Sequence, residues 1–268
     1  MLHKRAVPIS RSMLCNTRKS QLLFIALCFS ILIGGCTALN PLLYFEGKSG
    51  TKDTLPVAVE ELIEFAEYCD EAYENRKENY RVKRGELSYT IKQSDGVTII
   101  VFRGTANLKN VGTDIDLRPF KDDELDAYIH RGFRDAAMFT LDDIKKNYKI
   151  EKTVYLTGHS LGGAIAQIIG LWLDNDGYNV QIYTFGSPKV STTFFGNQPN
   201  HYRVTLRNDP VPFMPPYPYV HSGIRIDTKS LNWSVGGEAN RGSFGEIDGR
   251  DHSIETYLGL IRRHRVSN

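Results

Sequence analysis

The strongest chemical signal in the sequence is a serine set between two glycines. Residues 157–163 have the sequence TGHSLGG, which contains the G-x-S-x-G pattern with Ser160 at its centre. An apolar run precedes the pattern and an Ala/Ile/Leu-rich segment follows it, which predicts a sharp strand-to-helix turn. At such a turn Gly158 and Gly162 leave the room that the hydroxyl group needs to project above a sheet. A glycine-rich turn with an incidental serine is the alternative, and the strand and helix context favours a nucleophile.

Candidates for activating this serine lie downstream of it. A serine hydroxyl attacks a carbonyl when a base takes its proton and a carboxylate orients that base. Where the nucleophile lies in a G-x-S-x-G turn, the acid and then the histidine follow it in the chain. Asp209 comes after a strand-like run, and His252 lies in a glycine-rich segment before the last helical pattern. We predict Asp209 as the acid and His252 as the base. His201 precedes the acid and so breaks the expected order, which leaves His221 as the rival base.

Donors for an oxyanion are expected at two places. Leu161, the residue after the nucleophile, opens a helix and presents a free backbone N–H group. Thr105 ends the sequence FRGT at 102–105, directly after a strand-like run, and offers both an N–H and a hydroxyl group. A simple strand-ending turn is the alternative for Thr105. His159, inside the serine motif, is expected to support the turn.

Strand-like and helical segments alternate around these residues. Such alternation predicts an α/β fold in which a mainly parallel sheet is covered by helices on both faces, within one catalytic domain. The predicted helices are 57–73, 132–146, 161–173 and 254–261, and the predicted strands are 87–92, 97–102, 153–157, 180–185, 202–206 and 223–227, the first two joined by a turn with the sequence SDG at 94–96.

The first 35 residues have the character of a leader. Basic residues precede an apolar run at 22–33, which is short for a membrane span and ends in the sequence IGGC. This resembles the lipobox of bacterial lipoproteins and predicts a signal peptide at 1–35, cleaved before an acylated Cys36. A plain signal peptide or an uncleaved anchor is the alternative. The next residue, Thr37, is not the aspartate associated with inner-membrane retention, which favours a lipid-anchored protein of the bacterial outer membrane.

Domain boundaries follow from this leader and from the charge distribution. Beyond the signal peptide we predict a linker at 36–54 and the catalytic domain at 55–268. The formal charge of +2 comes from five basic residues and no acids within 1–35, and the remaining chain carries 28 basic and 31 acidic residues, a charge of −3. A basic surface for nucleic acid is therefore not predicted. The sequence leaves the oligomeric state open.

Metal ions, cofactors and disulfides are not predicted either. No metal-ligand spacing and no phosphate-binding glycine loop occurs in the sequence. Two of the four cysteines lie in the leader and Cys36 is the proposed lipid site. The remaining one, Cys69, falls on the apolar face of a helical pattern and is expected to be a small buried residue.

Taken together, these motifs resemble the class 3, or fungal-type, lipases of the α/β-hydrolase superfamily. The resemblance runs from residue 97 to the last helix. It implies an α/β-hydrolase fold and hydrolysis of a lipid ester through an acyl-enzyme, with Ser160, His252 and Asp209 as the triad and Thr105 in the oxyanion hole. It implies a structural role for His130. The motifs are FRGT at 102–105, HRGF at 130–133, GHSLGG at 158–163, FGSP at 185–188, ND at 208–209 and DH at 251–252.

Two segments bear on the substrate. The segment 106–128, where the family lipases carry a lid, is rich in charged residues, and a polar lid binds an oil surface poorly. The proline-rich segment 213–219 is expected to be a stiff connector, or alternatively an apolar rim for an acyl chain. We predict a lipase or esterase acting on acylglycerols or related esters. A phospholipase or acyltransferase on the same triad, and a non-hydrolytic envelope binding protein, are the alternatives.

Overall fold

Runs of β-branched and aromatic residues form the strands of a central sheet. The structure, a computed structural model, describes residues 48–74, 81–82, 88–105, 118–197, 199–236 and 249–265, all within one compact unit. The strands are β1 (Ser49–Gly50), β2 (Arg81–Val82), β3 (Ser88–Ser94), β4 (Val97–Arg103), β5 (Pro119–Asp122), β6 (Ala127–His130), β7 (Thr153–His159), β8 (Asn179–Phe185), β9 (Asn200–Thr205), β10 (Ile224–Asp227) and β11 (Trp233–Val235).

The middle of the sheet is parallel and its two sides are antiparallel. In the described part of the chain the order is β1-β11-β10-β9-β8-β7-β4-β3-β2, while β5 and β6 form a separate hairpin. Strands β4, β7, β8, β9 and β10 run parallel to one another. The register pairs Phe102 with Gly158 and His159 with Phe185, so that β4, β7 and β8 end at one edge. Ligands bind at this edge in open parallel sheets.

Helices cover both faces of the sheet. Helices α2 and α3 pack on one face and α1 and α4 on the other, each pair with its own apolar core. Every residue of α3 from Leu161 to Leu173 is buried, as expected for a helix that is apolar all round. The helices are α1 (Val59–Glu74), α2 (Arg131–Asn147), α3 (Leu161–Asn175) and α4 (Ile254–Arg262).

The predicted α/β architecture is confirmed. Each predicted helix and strand begins and ends within two residues of its observed position. The predicted hairpin joins β3 to β4, and Asp95 and Gly96 both have positive φ, 42° and 78°, as a tight two-residue turn requires.

Five short strands were not predicted, among them the two-residue β2 (Arg81–Val82). β5 and β6 have four residues each, and β5 begins with Pro119 and lacks an apolar alternation. β1, inside the predicted linker 36–54, has two residues and pairs with the three-residue β11 at the sheet edge. Pairing with neighbouring strands stabilises these short strands. A segment of two to four residues is too short for its sequence pattern to predict a strand.

The predicted signal peptide 1–35, Cys36 and residues 106–117 of the predicted lid lie outside the described residues. Among the residues that are described, no helix has the length and apolar character to cross a bilayer.

Candidate active site

Ser160 occupies the turn between β7 and α3. Its backbone has φ 57° and ψ −129°, a conformation that L residues rarely adopt and that costs roughly 1–3 kcal/mol. The Ser160 amide donates to the carbonyl of Phe185 on β8 over 3.0 Å, which ties the turn to the neighbouring strand. The surrounding sheet and helix therefore hold the serine in a strained turn, as strand–turn–helix nucleophile sites require.

The glycines on either side of Ser160 are required by close backbone packing. A Cβ atom on Gly158 would lie 2.3 Å from the carbonyl of Gly162, and one on Gly162 would lie 2.1 Å from the carbonyl oxygen of Phe102. Both contacts are with backbone atoms, which have no rotamer to escape into. The turn thus closes tightly only with glycine at both positions, as the sequence pattern predicts.

Ser160, His252 and Asp209 meet at the carboxyl edge of the sheet. The Oγ atom of Ser160 lies 2.8 Å from Nε2 of His252, and Nδ1 of His252 lies 2.7 Å from Oδ2 of Asp209. Because a carboxylate only accepts, Nδ1–H donates to Asp209, and Nε2 of the neutral ring accepts the serine O–H. All three are buried, with exposures of 1%, 3% and 0%. The arrangement can pass a proton from serine to histidine.

Two further donors hold the carboxylate of Asp209. The amide of Val211 donates to Oδ1 over 2.9 Å, and the phenol of Tyr257 on α4 donates to Oδ2 over 2.6 Å. Burial, followed by the negative charge of Asp209, raises the pKa of Tyr257 well above its usual value, so the phenol stays protonated and keeps donating. Tyr257 Oη also accepts the amide of Leu206 over 3.1 Å. Sequence patterns do not indicate this contact beyond placing a tyrosine on the buried face of the last helix.

Gly186 is a second residue that sequence reasoning did not single out. It follows β8 with φ 57°, and a Cβ atom there would lie 2.8 Å from Oδ2 of Asp209 and 3.2 Å from the ring of His252. A side chain would therefore displace the acid or the base. The signal for it was the FGSP motif at 185–188, which places a glycine directly at the strand end.

The predicted oxyanion donors lie on two sides of Ser160. Leu161 is the first residue of α3. Gly104, next to Thr105, abuts the serine, since a Cβ atom on Gly104 would lie 3.1 Å from Cβ of Ser160. The hydroxyl of Thr105 is buried and has no hydrogen-bond partner among the described residues. A buried hydroxyl costs free energy unless something pairs with it, and a developing oxyanion would supply such a partner.

The competing histidines make other bonds. His221 donates from Nε2 to the carbonyl of Pro212 over 2.6 Å, and Nε2 of His201 lies 2.8 Å from the hydroxyl of Thr184. His130 caps α2, because its Nδ1 atom accepts the amide of Phe133 over 3.3 Å. Of the predicted candidates, the structure brings His252 to the serine and assigns His130 the structural contact that was expected.

The structure also describes the surroundings of the possible metal ligands and of Cys69. Among the residues that the structure describes, no group of three His, Cys, Asp or Glu side chains could hold a metal ion. Cys69 is buried on α1, and burial raises the pKa of its thiol to about 12.

The segment 213–219 is anchored as a connector, since Nζ of Lys189 donates to the carbonyls of Phe213 and Pro215. Its Met214 and Tyr217 side chains are exposed.

Comparison with known proteins gives a match to one family over part of the chain, and a fold. Residues 99–219 match the sequence profile of the family described as Lipase (class 3). The segment carries Thr105, Ser160 and Asp209 of the candidate site, and His252 lies beyond it.

Individual relatives agree with this match. A secreted mono- and diacylglycerol lipase of Fusarium solani is 35% identical over 130 residues, 44% of this chain and 39% of that protein. A lipase of Rhizomucor miehei is 32% identical over 165 residues, 54% of this chain and 43% of that protein. The chain thus spans less than half the length of these curated relatives.

Solved structures show the same fold. Lipase II from Rhizopus niveus superimposes with a TM-score of 0.57 at 20% identity, over 77% of this chain and 96% of that one. With the mainly parallel sheet and its flanking helices, this likeness shows that the described unit has the α/β-hydrolase fold.

Proposed function

We propose that this chain, which matches the class 3 lipases over residues 99–219, is a serine-dependent carboxylic ester hydrolase acting on acylglycerols or related lipid esters. The observation that carries the proposal is the continuous hydrogen-bonded series from Ser160 through His252 to Asp209, with bonds of 2.8 and 2.7 Å. A binding protein has no chemical need for a nucleophile, base and acid in this arrangement. The match to lipases and the α/β-hydrolase fold support the same conclusion.

Acylation follows from the order of these contacts. Ser160 Oγ attacks the ester carbonyl carbon while its proton passes to Nε2 of His252. The carbonyl oxygen becomes an oxyanion, for which the amide of Leu161 and the donors of Thr105 are the proposed partners. Asp209 accepts Nδ1–H throughout and stabilises the imidazolium. The carbon–oxygen bond to the alcohol then breaks, His252 returns the proton to the alcohol, and the acyl group remains on Ser160.

Deacylation repeats these steps with water. His252 takes a proton from water, the hydroxide attacks the acyl carbon, and the same donors hold the second oxyanion. Collapse releases the carboxylic acid and restores the serine hydroxyl. If an alcohol attacked the acyl carbon in place of water, the enzyme would be an acyltransferase. Acyl transfer is therefore the alternative activity on the same triad.

The choice among lipid esters rests on one relative and on the predicted lid. The Fusarium relative is by its name a mono- and diacylglycerol lipase. In the described part of the predicted lid, Lys121 and Asp126 form an ion pair at the surface. This ion pair supports a polar lid rather than an apolar one. We therefore place monoacylglycerols and diacylglycerols first, with phospholipids as the second candidate.

A panel of lipids tests the proposal. The purified full chain would be incubated with emulsified monoacylglycerol, diacylglycerol, triacylglycerol and phosphatidylcholine, and the released fatty acid measured beside the Ser160→Ala variant. We expect acid release from partial glycerides that the variant lacks. Release from phosphatidylcholine alone would make the protein a phospholipase. A folded parent that hydrolyses nothing would favour the binding-protein alternative.

We further propose that the protein is a lipoprotein of the cell envelope, anchored through Cys36 to the outer membrane. The support is the leader at 1–35, with a linker at 36–54 before the catalytic domain at 55–268. Two or three acyl chains make such anchoring stable where one does not. Mass spectrometry of the protein from bacterial membranes tests this. We expect a mature N-terminus at an acylated Cys36, and an intact leader or an unmodified cysteine would contradict it.

A further inference from the structure

A second series of hydrogen bonds lies behind the Ser160 turn and takes no part in the proposed proton transfers. The phenol oxygen of Tyr73 on α1 lies 2.9 Å from Nδ1 of His159, and Nε2 of His159 lies 2.6 Å from the backbone carbonyl oxygen of His252. The same phenol oxygen packs against Gly104, where a Cβ atom would overlap it. His159 is buried and lies directly before Ser160 in the chain.

The direction of every bond in this series is fixed. A carbonyl oxygen only accepts, so Nε2 of His159 carries the hydrogen and donates to His252. Nδ1 is then the acceptor for the Tyr73 O–H. Burial, followed by the nearby charge of His252, lowers the pKa of His159 well below its usual value. Burial raises the pKa of Tyr73. Both groups therefore stay in the protonation states that the series needs.

The series joins two parts of the active site that are distant in sequence. Gly104 precedes Thr105, the proposed oxyanion donor, and His252 is the proposed base. Helix α1 supplies Tyr73 as the connecting group, and Tyr73 packs edge-on against the His159 ring with centroids 5.7 Å apart. The rings of His159 and His252 have centroids 4.6 Å apart. A neutral His159 therefore places no second positive charge beside the imidazolium that forms during the reaction.

We propose that Tyr73 and His159 are positioning residues for the hydrolase reaction, an inference that rests on the proposed function. They hold the main chain of His252 at the distance from which Nε2 meets Ser160, and they hold the strand end at Gly104 in register with it. A misplacement of about 1 Å at a reacting group can cost about 100-fold in rate, so small shifts in this series matter.

Three variants and a control test the role by kinetics on a p-nitrophenyl ester. His159→Leu removes both bonds, His159→Gln keeps an N–H donor for the His252 carbonyl, and Tyr73→Phe removes the phenol. The control, Thr157→Val on the same strand, breaks a buried hydroxyl contact with Cys69 outside this series. We expect kcat to fall about tenfold or more in His159→Leu with KM within about twofold, and to recover largely in His159→Gln. Tyr73→Phe should fall between them, and Thr157→Val should lose thermal stability without losing kcat.

Nitrogen-15 NMR of the histidine side chains gives a readout that needs no turnover. In the parent we expect His159 as the neutral Nε2–H tautomer from pH 5 to 8, with a change in the Nδ1 shift in Tyr73→Phe. The inference is overturned if His159 is the Nδ1–H tautomer or is charged at pH 6. It is also overturned if an active parent keeps its kcat in His159→Leu, or if the loss merely tracks stability and His159→Gln restores nothing. A parent inactive on every ester would overturn the proposed function instead, and the NMR result would still decide the hydrogen-bonded series.

Discussion

At the scale of single residues, the candidate site is a set of donors arranged around two positions of negative charge. Tyr257 and the Val211 amide hold the Asp209 carboxylate, and Leu161 and Thr105 are placed to hold the proposed oxyanion. Donors of this kind act strongly because the buried site excludes water and because they are oriented before the reaction begins. The Thr105 hydroxyl differs from the donors to Asp209, since it makes no hydrogen bond to any described residue in the resting structure.

Substitution of Thr105 tests that donor. Thr105→Val keeps the shape of the side chain and removes its hydroxyl, so we expect kcat to fall by about 10²-fold while KM changes little. Thr105→Ser keeps the hydroxyl and should stay within a few-fold of the parent. Both would be compared in steady-state hydrolysis of a p-nitrophenyl ester. Equal rates for the valine and serine variants would show that the hydroxyl contributes nothing to the transition state.

At the scale of elements, the parallel strands place the chemistry by ending at the same edge. The turn after β4 carries Thr105, the turn after β7 carries Ser160, and Gly186 follows β8. Each turn contains a glycine at which a Cβ atom would overlap a neighbour, and Ser160 and Gly186 have positive φ. The loop after β8 lies against the acid and the base, because a Cβ atom on Gly186 would contact both Asp209 and His252.

A matched pair of glycine substitutions tests this crowding. Gly186→Ala places a methyl group against Asp209 and His252, so we expect at least a tenfold loss of kcat along with lower stability. Gly196→Ala has a similar φ of 64° but open space around the new methyl group, so it should cost about 1 kcal/mol in unfolding free energy and leave kcat unchanged. Urea denaturation and ester hydrolysis would separate the two effects. Full activity in Gly186→Ala would contradict the packing argument.

At the scale of the whole molecule, buried neutral histidines couple stability to pH. His159, His201 and His221 are buried, and burial, the largest cause for each, lowers their pKa values; for His201, where the charge of Arg203 adds to the effect, the pKa falls to about 3. Below about pH 6.5 the unfolded chain takes up a proton at each of these rings and the folded chain does not. Their contribution to stability is therefore complete above pH 6.5 and declines as the pH falls.

His201→Gln tests this coupling. We expect the parent to lose free energy of unfolding between pH 7.5 and pH 5, with about 2 kcal/mol of the loss due to His201 alone. The glutamine variant lacks the titrating ring and should lose about 2 kcal/mol less over the same interval. Urea unfolding at the two pH values, in detergent for the full chain, gives both numbers. Equal losses in parent and variant would mean that His201 does take up a proton in the folded state.

Sequence reasoning reached the fold and the order of the candidate residues because both are local patterns. Apolar periodicity placed each long element, and the G-x-S-x-G turn, with the expected order of acid and base, pointed to Ser160, Asp209 and His252. Tyr257 and Tyr73 could not be found this way, because their partners lie 48 and 86 residues away and no local pattern encodes the contact. The short strands β1, β2, β5, β6 and β11 were missed for the same reason. The catalytic roles themselves stay predictions.

The most direct test of the central claim is covalent labelling of Ser160. A p-nitrophenyl alkylphosphonate would be added to the full chain, and the modified peptide identified by mass spectrometry beside the Ser160→Ala and His252→Ala variants. In the expected reaction Ser160 Oγ bonds to phosphorus, p-nitrophenolate leaves, and His252 takes the serine proton. The account predicts one adduct on Ser160 in the parent, none in Ser160→Ala and a much slower reaction in His252→Ala. A folded parent that stays unlabelled, or an adduct on another residue, would contradict it.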